Sequence, residues 1–208
     1  MSETPVFWAQ MLREQAGLKG YVPLDVEALA RWCRIRIDEA PLDGFLGLYM
    51  DLGDRRGMLL KEGQDVRQRR FTIAHEIGHF AIPTHSGRSV EQCLEEDVLG
   101  GNSTNPIEAE ANQFAAELLM PRAVFNADIR NKTPSFGHIP TLADRYDVSV
   151  TACALRWVEL SDERVALICV EGDRVKWKRL SKKLRYSLRP CGNRIAPECV
   201  AAAVQRGE

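Results

Sequence analysis

The pentapeptide His75-Glu76-Ile77-Gly78-His79 constrains what this chain can fold into more than any other feature. In an α-helix, residues four apart lie about 40° apart around the axis and one turn along it. His75 and His79 therefore present two imidazoles to one point. The helix predicted over 66–82, stopped by Pro83, also carries Phe71, Ile73-Ala74, Ile77-Gly78 and Phe80. It is apolar nearly all round, so it belongs in an interior. Imidazoles and a carboxylate buried there are costly unless they bind something. Two fixed imidazoles suit Zn2+, which then needs a third protein ligand and keeps one position open for chemistry. Glu76 falls on the neighbouring helical face, near such an ion but not aimed at it. That is the place for a general base that takes a proton from water.

The third ligand is expected from a helix over 107–119. Its period puts Glu110, Gln113 and Glu117 on a polar face, and Glu108 with Ala111, Asn112, Ala115 and Leu119 on a small, apolar side that can approach another helix. Glu108 is the expected ligand and Glu110 the alternative; the plainer reading is that Glu108 simply favours a helix N-terminus. Asn112, one turn beyond Glu108, is placed to hydrogen-bond a ligand and hold its orientation.

The run Arg70-Phe71-Thr72-Ile73-Ala74-His75-Glu76-Ile77-Gly78-His79, followed by Glu108-x-Glu-Ala-Asn112-x-Phe-Ala-Ala-Glu-Leu-Leu-Met-Pro121, resembles the ImmA/IrrE family of bacterial zinc metallopeptidases. The resemblance spans residues 20–160. It implies a thermolysin-like arrangement, with His75, His79 and Glu108 as zinc ligands and Glu76 as catalytic base. Members of that family cleave helix-turn-helix repressors and so derepress mobile-element or stress-response genes; others belong to toxin–antitoxin or prophage systems. The implied partner is thus a repressor or antitoxin, cut as a protein substrate. Several members carry an added N-terminal DNA-binding domain or a C-terminal sensory domain, and in a sequence of 208 residues no large sensory domain is expected.

Around the motif the pattern predicts an α+β fold. Helices are expected over 5–17 and 24–34, the second burying Leu24, Ala28, Leu29 and Trp32. Ile35–Ile37, Phe45–Met50 and Met58–Leu60 form a small, mainly antiparallel sheet, the last two strands joined as a hairpin through Asp51, Gly53, Asp54 and Gly57. A long loop over 84–106, with at most one short helix, carries the acidic cluster Glu91, Glu95, Glu96 and Asp97, a candidate cleft lining or cover. Short helices follow over 121–130, 139–146 and 150–160, then a hairpin of 164–170 and 174–180. The division expected is a metallopeptidase core over 1–130, a helix-turn-helix-like module over 131–162 packed on that core, and a C-terminal hairpin with a basic tail over 163–208.

Composition narrows the function. With 28 Lys+Arg against 29 Asp+Glu, the chain is not built to bind nucleic acid by bulk charge. It has no apolar run long enough to span a membrane. Its start, Met1-Ser2-Glu3-Thr4-Pro5, reads as no secretion signal, and its six dispersed cysteines read as reduced thiols in the cytoplasm. The 141–160 segment has helix-turn-helix spacing, with Ser149 as a cap for its second helix, but Arg156 is that helix's only cation. A packing role is favoured over DNA reading. The basic run Arg174, Lys176, Lys178, Arg179, Lys182, Lys183, Arg185 and Arg189, interleaved with Trp177 and Tyr186, is a solvated face or a contact for an acidic partner or nucleic acid. His85, His138 and Tyr146 are candidates by side-chain type for the oxyanion donor, with none preferred. A regulatory zinc endopeptidase leads; a silent antirepressor or antitoxin module and a DNA-binding regulator are the rivals.

Overall fold

A computed structural model describes residues 4–51, 55–85, 90–94 and 105–185. Two helices open the chain. Helix α1, Pro5–Gln15, starts where Thr4 accepts from Phe7 N–H and Pro5 takes the first turn. Helix α2, Val26–Trp32, is capped by Asp25 through Ala28 N–H. Leu24 and Leu29 are buried as the period predicts, but Trp32 is 54% exposed. It occupies the last turn of a helix shorter than expected, past the part that packs inward.

The sheet has four strands in the order β1-β3-β2-β4: β1 is Ile35–Ala40, β2 Phe45–Asp51, β3 Arg56–Lys61 and β4 Val90–Leu94. β2 pairs antiparallel with β3 and with β4, whereas β1 joins β3 in parallel, so the sheet is mixed but mostly antiparallel. The expected loop over 84–106 is corrected here. It opens with a 3-10 turn, Pro83–His85, and then supplies β4. The free edge of β2 recruits this segment through backbone hydrogen bonds, which a side-chain pattern does not reveal. Glu95, Glu96 and Asp97 of the acidic cluster, and Tyr186 and Arg189 of the basic run, lie outside the described residues.

Helix α3, Val66–Ala81, packs on β2 and β3, and helix α4, Pro106–Leu119, packs beside α3. Ile73, Ala74, Ile77, Phe114, Ala115, Leu118 and Leu119 join Met58 and Leu60 of the sheet in one apolar core. Gly78 is what lets the two helices close up. A Cβ there would lie 3.0 Å from the Phe114 ring.

Helices α5, Arg122–Ile129, α6, Ile139–Tyr146, and α7, Val150–Leu160, follow, then the hairpin β5–β6, Ala166–Glu171 and Arg174–Leu180. α6 ends on Asp147 in the left-handed region (φ 50°), and Ser149 accepts from Ala152 N–H to start α7, as the spacing predicts. Arg70 of α3 holds this turn, donating to Asp147 O at 2.9 Å and to Leu24 O at 2.8 Å. Among the described residues, no helix is long and apolar enough to cross a membrane.

Candidate metal centre

Helix α3 is fixed at both ends of its functional turn. Asp65 caps it through Arg67 and Gln68 N–H, and Ile82 N–H bonds back to Gly78 O just before Pro83 stops it. Every residue from Thr72 to His79 is buried, so both histidines and Glu76 lie in the interior; His75 and Glu76 are each 0% exposed. The flanking Phe71 and Phe80 are only half-buried, a departure from the all-round apolar helix expected, and Arg56 lies 4.6 Å over the Phe80 ring.

Helix α4 meets this face with its first turn. Asn105 caps it through Ile107 N–H, Pro106 takes the first helical position, and Glu108 follows, 1% exposed. His75 Nε2 lies 3.0 Å from Glu108 Oε2 and 3.0 Å from His79 Nε2, while His79 Nε2 is 3.5 Å from Glu108 Oε1. One donor atom from each of the three falls within 4.8 Å of the others. Ligands about 2.0–2.1 Å from a tetrahedral zinc are spaced about 3.3–3.4 Å apart, so the three side chains stand like three corners around one ion. Two buried imidazole nitrogens only 3.0 Å apart need a proton or a cation between them.

The ionisation states suit the same end. Burial pushes His79 below the ordinary imidazole value, with Glu108 only partly offsetting it. For Glu108, burial pushes the carboxyl up, but the bonds from His75 and His79 win and bring it down to about 2. An ionised carboxylate beside a neutral imidazole is the donor set that metal binding requires. The Oδ1 of Asn112 lies 2.9 Å from His75 Nδ1, on the side of the ring away from the three donor atoms. Glu110, the alternative to Glu108, points elsewhere and meets His85 Nε2 at 3.1 Å.

Glu76 is backed by the sheet. A Cβ on Gly47 of β2 would lie 2.6 Å from Glu76 Oε1 and 2.7 Å from Thr72 Cγ2. The strand therefore passes where no side chain fits, and Gly47 borders the site without being part of the His-Glu-x-x-His pattern. An isolated glycine inside a strand is a signal of close approach that was there to be used. Of the three oxyanion candidates, His138 is exposed, Tyr146 is buried and donates to Asp128 Oδ2 at 2.7 Å, and His85 lies beside His79.

One expectation is corrected: Glu117, expected on a polar face, is 1% exposed. Arg156, the only cation of a helix expected to pack rather than read DNA, is 2% exposed. They pair with each other in the interior. Arg156 also donates to Met120 O at 2.9 and 3.1 Å and to Glu159 at 2.9 Å, while Glu117 Oε1 accepts from Gln10 and from Arg122 N–H.

Comparison with known proteins gives three likenesses. The peptidase M78 family model, described as the IrrE N-terminal-like domain, matches residues 33–158. The radiation response metalloprotease IrrE of Deinococcus deserti is 29% identical over 119 residues, covering 53% of this chain and 42% of that protein. A Mycobacterium tuberculosis transcriptional regulator superposes with a TM-score of 0.56 at 12% identity, over 85% of this chain and 54% of the other, a likeness of fold alone. The chain thus spans about half the length of the relatives it matches.

Proposed function

Because this chain belongs to the peptidase M78 family of IrrE N-terminal-like domains, we propose that it is a zinc-dependent endopeptidase of regulatory type. His75, His79 and Glu108 would hold the ion, and the observation that carries the reading is the convergence of their three buried donor atoms. When bound, zinc supplies Lewis-acid polarisation of the scissile carbonyl and makes water acidic enough to ionise near neutral pH. Glu76, one residue from His75 and walled in by Gly47 and Thr72, takes a proton from the attacking water and delivers it to the departing amine. Asn112 keeps the His75 ring turned towards the ion.

The substrate we propose is a specific protein, a helix-turn-helix repressor or an antitoxin, met in the cytoplasm. The free thiols Cys33, Cys153 and Cys169 agree with a reducing compartment. DNA reading by α7 is the weaker alternative, since Arg156, its one cation, is buried against Glu117.

Replacing Glu76 with Gln keeps the shape and removes the base. The expected result is metal content near that of the native chain with cleavage of a candidate repressor down by at least about 100-fold. Native-like cleavage by E76Q, with metal bound, overturns the mechanism.

A further inference from the structure

The two histidines of the centre are held in different ways. His75 has the Asn112 amide on its outer nitrogen. The outer nitrogen of His79, Nδ1, is buried with no hydrogen-bond partner among the described residues. What meets the His79 ring instead is a third imidazole, that of His85, with ring centroids 5.1 Å apart and planes inclined at 41°. On another side lies the His75 ring, at 4.8 Å and 70°.

His85 reaches this place because Pro83 breaks α3. The chain turns through Pro83–His85, closed by His85 N–H on Ile82 O at 3.0 Å, and brings the side chain back against the helix it has just left. The ring is 3% exposed. Its Nε2 donates to Glu110 Oε2 at 3.1 Å, and Glu110 stands on α4 two residues after Glu108. The helix that supplies the carboxylate donor therefore also supplies the anchor for the ring that packs on His79.

Resting on the metal site proposed above, we propose that His85, anchored by Glu110, is a positioning residue that orients His79 by ring packing in place of the usual outer hydrogen bond. An imidazole turns easily about the bond that carries its ring, because that torsion has broad minima. A ligating histidine without an outer hydrogen bond therefore needs another restraint. The His75 and His85 rings provide one from two sides, and the Glu110 bond keeps His85 from turning away.

The test is metal titration of the whole metal-free chain with Zn2+ against a competing chelator, and with Co2+ followed by its visible absorption bands. H85A should weaken both metals about 10-fold or more, the range seen when an outer support of a ligand is lost, and should alter the Co2+ bands. H85F, which keeps the ring but not the hydrogen bond, should recover most of the affinity and the native bands. E110A, at a side chain 40% exposed, should fall between them. Native affinity and bands in H85A overturn the proposal, and so does an H85F as weak as H85A. Should H85A not fold, E110A decides: native affinity there overturns it. A native chain that takes up neither ion fails at the metal site itself, which separates the loss of that reading from the loss of this one.

Discussion

At the candidate metal centre, burial and neighbouring charge shift the protonation of single side chains. His79 and Glu108 are both held below their ordinary values, 6.5 and 4.5. A group depressed in the folded state binds fewer protons folded than unfolded, so stability falls as pH falls. The expected course for the metal-free protein is a melting temperature that declines below about pH 6.5 as His79 is called on to charge, then again below about 4.5 as Glu108 is. A melting temperature flat from pH 7 to 4 contradicts this. The same residues show how far single positions were legible. Helical spacing separated Glu108, on the side that meets His75, from Glu110, which meets His85. It misjudged Glu117, because a period assigns a carboxylate to water and has no means of seeing the guanidinium of Arg156 arrive from 39 residues away.

Among the elements, α3 and α4 came directly from their patterns, since α3 is buried all round from Thr72 to His79, α4 buries one face, and a proline follows each. β4 did not, because a strand added to an existing edge is specified by its partner's backbone. At Gly47, β2 passes so close to α3 that no side chain fits between them. Adding a methyl in G47A drives it into Glu76 and Thr72, and overpacking of this kind costs about 1–3 kcal/mol. The cost should shrink when Glu76 is also truncated, because one of the two colliding groups is gone; chemical denaturation of G47A, E76A and the double variant measures the coupling. Strictly additive losses contradict the contact.

Across the whole molecule, the helical module is tied to the helix that carries Glu108 by an interior ion pair. Arg156 of α7 and Glu117 of α4 are each 1% exposed at the side chain. Removing one member strands the other, so E117A should cost about 3–5 kcal/mol, read as a fall in the denaturation midpoint. A loss under about 1 kcal/mol contradicts that, being the size expected of an exposed pair. The α+β class was readable because the hydrophobic period switches from helix to strand and back along the chain. The long-range ties through Arg70 and Arg156 were not, since each links segments far apart in sequence. Gly47 bears on descent as well as on folding. While Thr72 and Glu76 stay as they are, even the smallest heritable enlargement at codon 47 collides at once. Loss of the carboxylate alone does not free the position, because the Thr72 methyl, 2.7 Å from where a Cβ would stand, still blocks it.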